Sequence, residues 1–425
     1  MSKAIQKKIL TEYRLNSMYG LVDTVLNQVA NFGISIVMAR VWGASKLGEF
    51  SAILAIVGIA SLLFNFGTQG IVGREIAKSK KKIPLYLGVG LSIRIFVSLP
   101  FIFIVSFIAS YLILPDKDTF INRRIILIVY GYVLGLLIFF TGMNIKVQQN
   151  LYLLVSNTIY KTMTLLVAIG FYFFLGGFEL FVATLTILCL ICIVSHCVRI
   201  YTKVQKFRLR WDRRFVKILI AKSFPLLLAG MAEFLNLKLD TIILAMIVGN
   251  TDTGLYTIAA QFYLGAVVVC MILIKVYSPV FIQVHSKSAI MAYSQLKRKI
   301  GQFSLIGMMG GTALFFIAPS LIRAMYGKEF EIATSLIRLL GLAFPFVVLG
   351  KLFVYIVIAV KKEKYYMRVA WIGLAINVTG NFLLIPIWGV HAAAVTTLFT
   401  EIVVGLLTAK IVYKDYVWVK SKSKV

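Results

Sequence analysis

Apolar runs of about twenty residues recur along the chain, separated by short polar or basic breaks. That is the length a helix needs to cross a hydrocarbon core about 30 Å thick. Twelve such windows are read. The first six cover residues 17–40, 49–72, 85–114, 124–145, 151–175 and 178–200. The second six cover 221–249, 254–282, 301–324, 333–360, 366–387 and 390–412. The Gly176-Gly177 break favours two spans over 151–200 rather than one re-entrant pair. The pattern predicts an all-α polytopic membrane protein with about twelve transmembrane helices.

Composition agrees. Of 425 residues 60% are hydrophobic and 14% charged, a balance that a water-soluble domain does not carry. The basic residues fall in alternate loops. Lys3, Lys7, Lys8 and Arg14 precede the first window; Arg74, Lys78, Lys80, Lys81 and Lys82 follow the second; Arg199, Lys203, Lys206, Arg208, Arg210, Arg213, Arg214 and Lys217 lie between the halves. Lys287 and Lys297–Lys299, then Lys361, Lys362 and Lys364, and finally Lys420, Lys422 and Lys424 continue the series. The intervening loops are poor in base, with Lys117, Arg123, Arg124 and Lys328 the main exceptions. Because positive loops stay on the cytoplasmic side, both termini are expected there. The same distribution accounts for the formal charge of +29 without nucleic acid as a partner and leaves membrane lipids as the natural counter-surface. The first window is span-length and has no small-residue cleavage site after it, so it is expected to remain as the first helix.

An internal repeat divides the chain into a lobe at 1–208 and a lobe at 209–425. After the first window the sequence reads ARVWGASKLGEFSAI from Ala39, and after the seventh AMIVGNTDTGLYTIA from Ala245. Gly43 pairs with Gly249, Gly48 with Gly254 and Phe50 with Tyr256 at one offset. Paired glycines at the exit of the first helix of each half permit a tight turn into the next.

These segments, together with FNFGTQGIVGREIAK from Phe64, SFPLLLAGMAEFLNLKLDTIILAMIVGNTDTGLY from Ser223 and IPIWGVHAAAVTTL from Ile385, resemble the O-antigen and polysaccharide repeat-unit flippases. Those belong to the multidrug, oligosaccharidyl-lipid and polysaccharide exporter superfamily. The resemblance spans essentially the whole chain through loose motifs. It implies two six-helix lobes around a central cavity, and alternating access that carries a lipid-diphosphate-linked oligosaccharide to the outer leaflet for O-antigen, lipopolysaccharide or other surface polysaccharide, alongside polymerase machinery. A monomer is assumed.

The residues themselves present ionisable groups deep in apolar windows, each costing about 2.5 kcal/mol or more at the bilayer centre unless paired or hydrated. On the first helix Asp23, Asn27 and Asn31 recur every four residues, and on the seventh Glu233, Asn236 and Asp240 recur at three and four. Each set forms one stripe on repeat-equivalent helices, expected to make a polar seam or an ion-coupling path. Lys238, two residues or about 200° from Asp240, points elsewhere. Arg94, Lys161, Lys238 and Lys351 are the candidates for a cationic cavity that holds a diphosphate. The competing reading for each is a structural ion pair or a side chain snorkelling to the headgroups, and for Lys275, near the end of its window, snorkelling is preferred. Glu401 stands alone in the last window, as a proton or sodium coupling group or as a partner for one of the lysines.

No resident cofactor is expected, only H+ or Na+ as coupling ion. Cys192, His196 and Cys197 sit close on one helix without a further ligand, so core packing is the reading for all four cysteines. No nucleotide-binding, HExxH or GxSxG motif is present, which points to secondary transport and away from an enzyme. A multidrug exporter of the same superfamily is the rival, though the excess of basic over acidic residues in the windows argues against a cationic cargo. A peptidoglycan-precursor flippase handles similar chemistry but usually has two more helices. A polymerase or ligase needs a large external loop, and the longest here is 115–123.

Overall fold

A computed structural model describes residues 3–68, 71–72, 75–76, 81, 83–113, 121–146, 150–174, 176–204, 206, 208–360 and 362–422. Arg74, Lys78, Lys80, Lys82, Lys117, Lys361 and Lys424 lie outside them. The described chain is mostly helical, and most helices follow the apolar windows, while the windows at 17–40 and 49–72 both fall on one helix interrupted at Gly43 that ends at Phe64. They are α1 (Lys3–Phe64), α2 (Ile83–Ile93), α3 (Leu99–Ile113), α4 (Ile121–Lys146), α5 (Asn150–Phe174), α6 (Phe178–Arg199) and α7 (Arg213–Ile247). Then follow α8 (Asn250–Lys287), α9 (Ala289–Phe316), α10 (Ala318–Tyr326), α11 (Glu331–Ala359), α12 (Glu363–Trp388) and α13 (Val390–Lys422). Among the described residues nine helices are long and apolar enough to cross a membrane, or up to ten if the bent pair α9 and α10 forms one span. This is a multi-pass membrane architecture.

Two departures from the straight-window expectation have local causes. The predicted window at 85–114 is interrupted between α2 and α3 by a π-helical turn, Arg94–Ser98, where the wider ring frees backbone groups. Tyr132 Oη donates to the Arg94 carbonyl (2.9 Å), which also accepts the Leu99 backbone N–H, while Ser98 Oγ donates to the Ile93 carbonyl (3.3 Å) and ties the turn to the Phe64 carbonyl at the end of α1 (2.8 Å). The predicted window at 301–324 bends by 44° between Phe316 and Ala318, where Pro319 opens α10 and cannot donate to the helix before it.

The chain divides into two compact units, Met1–Gly43 with Phe50–Met231, and Ala44–Glu49 with Ala232–Val425. In the first, α4 packs on α6 and α3, and α5 packs on α6. A core of aliphatic and aromatic side chains, with Phe139 and Ile93 fully enclosed, holds them together. Trp42 of α1 packs its indole on Phe178 and Phe181. In the second, α11 is the central helix, flanked by α8, α9 and α13, with α12 laid along α13. Its burial on several sides suits its near-continuous apolar sequence.

The repeat is visible in the backbone. Gly43 interrupts α1 at φ 78°, ψ 175°, and Gly249, before α8, has φ 90°, ψ −179°. The same left-handed, extended conformation therefore occurs at both equivalent positions, and side chains strongly disfavour it. Within the second unit Gly48 and Gly254 meet reciprocally. A Cβ on Gly48 would fall 1.8 Å from the Asn250 carbonyl oxygen, and one on Gly254 would fall 2.0 Å from that of Ala44. Since the obstacle is backbone in both cases, Gly48→Ala or Gly254→Ala must push the helices apart. Each is expected to destabilise by several kcal/mol, about 3 or more, and to abolish the monodisperse peak in fluorescence-detected size exclusion. A Ser51→Ala control on the same helix should retain that peak.

Candidate functional site

In the second unit the described residues build an enclosed polar site around Asp240. Its carboxylate, only 5% exposed, lies on α7 where α8, α12 and α13 converge. Asn381 Nδ2 donates to Oδ1 (2.7 Å), while Tyr256 Oη (2.8 Å) and Thr397 Oγ1 (3.1 Å) donate to Oδ2. Asn381 also donates to Asn377 Oδ1 (3.2 Å). All of these partners are neutral, and no ion pair involves Asp240 among the described residues. Asn381 Oδ1 and the Thr396 and Thr400 hydroxyls are buried nearby on the same two helices without a hydrogen-bond partner. The site thus combines one buried negative charge with spare acceptor oxygens, the chemistry that accommodates a proton or a small hard cation.

Glu233 and Asp240, expected to share one stripe, occupy different surroundings. Glu233 is exposed and accepts from Lys351 Nζ on α11 at 3.4 Å. Glu401 on α13 lies within electrostatic reach of the same ammonium, so one lysine serves two carboxylates. The sequence left Glu401 between coupling and pairing with a lysine; the structure supplies Lys351 as its neighbour. Asn236, between the two acids, has a buried Oδ1 without a partner. Lys238 is half-buried and has no carboxylate partner among the described residues. Lys275 is exposed on α8.

In the first unit Asp23 receives Asn157 Nδ2 on Oδ1 (2.9 Å) and Asn27 Nδ2 on Oδ2 (3.2 Å), joining α1 to α5. Lys161, one helical turn beyond Asn157, lies within electrostatic reach of Asp23 and over the Tyr160 ring at 5.1 Å. Asn31 is exposed. Arg94 begins the π-helical turn and is 2% exposed. Its Nη1 donates to Thr68 Oγ1 (3.2 Å) and the Gly90 carbonyl (3.1 Å), and its guanidinium lies 3.8 Å from the Phe139 ring centroid. All these partners are uncharged, and no carboxylate pairs with Arg94 among the described residues. Arg123 differs: it pairs with Glu179 at 2.6 Å, between α4 and α6.

Cys192 Sγ lies 3.6 Å from His196 Nε2, but no group of three or more His, Cys, Asp or Glu suited to a metal occurs among the described residues.

The sequence alone did not mark Asn157, Asn377, Asn381 and Thr397 as site residues, and it drew Tyr256 in only as a member of the repeat. One signal was available: Asn377 and Asn381 recur four residues apart inside a predicted span, the spacing that drew attention to Asn27 and Asn31.

Residues 15–285 match the family of polysaccharide biosynthesis proteins. A capsular polysaccharide biosynthesis protein, CapF of Staphylococcus aureus, is 22% identical over 404 residues, covering 91% of this chain and 96% of that one. The fold is similar to an inward-facing multidrug resistance MATE family transporter of the MOP superfamily (TM-score 0.73, 11% identity, 96% and 94% of the two chains). It is equally similar to the lipid II flippase MurJ in an inward closed conformation (TM-score 0.73, 15% identity, 95% and 89%).

Proposed function

The chain belongs to the family of polysaccharide biosynthesis proteins, and from that premise we propose that it is a flippase for a lipid-diphosphate-linked oligosaccharide repeat unit. The cargo moves from the cytoplasmic to the outer leaflet of the bacterial inner membrane, for assembly of an O-antigen or another surface polysaccharide. The observation that carries this reading is that Arg94 and Lys238 bring positive charge into span helices without a carboxylate partner among the described residues. Such charge is costly in a membrane unless an anion or water meets it, and a diphosphate is the anion this cargo supplies.

We read twelve spans in two six-helix lobes, 1–208 and 209–425, around a central cavity worked by alternating access. The matching backbone at Gly43 and Gly249 supports two equivalent halves. A continuous helix over Val22–Phe64 would be about 65 Å long, twice the hydrocarbon thickness, so the break at Gly43 counts it as two spans. The 35-residue α7 adds another, and α9 with α10 the last. An even number agrees with both termini on the cytoplasmic side. Asp240 and its neutral donors are the proposed coupling site for Na+ or H+. The fold likeness to a lipid II flippase and a drug exporter is in keeping with secondary transport, and polymerase machinery is the expected recipient of the cargo.

Deletion of the gene in its host, with surface glycan and leaflet-resolved lipid-linked intermediates measured, tests the cargo. Accumulation on the cytoplasmic leaflet, relieved by the wild-type gene, is expected. Normal surface glycan with new drug sensitivity would replace this reading with a multidrug exporter.

The Lys351 to Glu233 pair tests the cavity more locally. Lys351→Ala should reduce translocation while leaving membrane insertion intact, and Lys275→Ala should leave both near wild type. The charge swap Glu233→Lys with Lys351→Glu should restore folded yield but not transport. Full recovery of transport by the swap would make the pair structural.

A further inference from the structure

At the start of α7 an open groove of about 540 Å³ runs beside the helix within the first unit, and its walls are almost wholly apolar. Trp211 forms one end and Phe224 the other, 46% and 51% exposed, and the small Ala221 makes the depression between them. Arg213 and Lys217 line the Trp211 end, one turn apart on the same helix face. Arg208, Arg210 and Arg214 are exposed close by in sequence, and none of these five cations has a carboxylate partner among the described residues. Asp212, the acid beside them, is engaged: its Oδ1 accepts the Phe215 backbone N–H at 3.0 Å.

An adjoining flank of the helix is packed on its own unit. Leu219 is buried in the core, Val216 is buried where the groove meets it, and Phe215 meets Tyr86 edge-on at 5.0 Å. The groove therefore lies on the exposed side of a helix that its own unit fixes along one flank. Along the axis, cations come first and apolar side chains follow, over about 16 Å from Arg213 to Phe224. The exposed Trp stands at the junction, where an amphipathic ring suits the boundary between headgroup and hydrocarbon. A lipid lying along this face meets charge with its phosphate and aromatic surface with its upper acyl chain.

We propose that this groove is a binding site for an anionic phospholipid, with Arg213 and Lys217 on the phosphodiester and the acyl chain seated over Ala221 against Phe224. Charge complementarity selects the lipid class: the apolar wall would take the tail of any lipid, whereas the cations give a zwitterionic headgroup no net attraction. The site requires the membrane-spanning architecture and is independent of the cargo.

The test uses the full-length purified chain in detergent, titrated with palmitoyl-oleoyl phosphatidylglycerol or the matching phosphatidylcholine, with bound lipid counted by native mass spectrometry. A preference for phosphatidylglycerol is expected. Arg213→Gln with Lys217→Gln should reduce that preference about tenfold, as should Ala221→Trp, which fills the depression and leaves both charges. Both changes lie on an exposed face, and a size-exclusion profile matching wild type verifies folding. Lys297→Gln with Arg298→Gln, in another basic segment, should leave the preference unchanged. Equal uptake of the two lipids by the wild-type chain would overturn the site. So would an unchanged preference in both groove variants, or full competition by tail-less glycerophosphoglycerol, which would mark a free-anion site.

Discussion

Asp240→Asn is expected to abolish ion-coupled transport while leaving the protein folded. The substitution is nearly isosteric and keeps an acceptor oxygen for Tyr256 and Thr397, but it removes the one negative charge in an otherwise neutral buried site. Hydrogen bonds to a charged group are worth about 1.5–3 kcal/mol, so loss of the charge should lower affinity for the coupling cation about tenfold or more. In proteoliposomes the wild-type rate should respond to an imposed Na+ or proton gradient and the variant should not. Tyr256→Phe and Thr397→Val each remove one donor and keep the carboxylate, so both should shift the ion dependence without eliminating it. An Asp240→Asn variant with wild-type rate and ion response would remove Asp240 from coupling.

The second large effect concerns Arg94, where function and stability are expected to move in opposite directions. Arg94→Met retains much of the side-chain volume against Phe139 and withdraws a buried charge that has only neutral partners. Replacing a buried ion by an apolar group of similar size is often neutral or stabilising by about 1–4 kcal/mol. The melting temperature of the variant should therefore hold or rise, while translocation falls about tenfold or more with the loss of a charge-assisted contact to the diphosphate. Arg94→Lys keeps the charge without the planar fork and should be intermediate. A structural arginine would give the reverse, a lower melting temperature with transport retained per folded molecule.

What the sequence disclosed and what it withheld follow from the range of the interactions involved. Each span is a local run of apolar residues, so the windows at 124–145, 151–175 and 178–200 coincide with α4, α5 and α6 to within a few residues. The glycine repeat was legible because a left-handed backbone demands one residue type, and the demand recurs at Gly43 and Gly249. The π-helical turn at Arg94 left no such mark, since it depends on Tyr132 and Phe64, distant in the chain. Helical spacing put Glu233, Asn236 and Asp240 in one set, but spacing alone does not disclose the neighbours. Glu233 meets Lys351 of α11, whereas Asp240 meets α8, α12 and α13. The neutral members of that site, Asn377, Asn381 and Thr397, carry no charge to mark them within an apolar window, and tertiary packing alone unites them with Asp240.

The most direct measurement is flipping itself. The purified chain is reconstituted into vesicles with a polyprenyl-diphosphate-linked oligosaccharide labelled on the sugar, and a membrane-impermeant lectin or glycosidase reports how much label crosses the bilayer. Protein-dependent crossing that falls about tenfold or more in the Arg94→Met vesicles is the expected outcome. Equal crossing in vesicles with and without the wild-type protein would contradict the assignment as a glycan-lipid flippase.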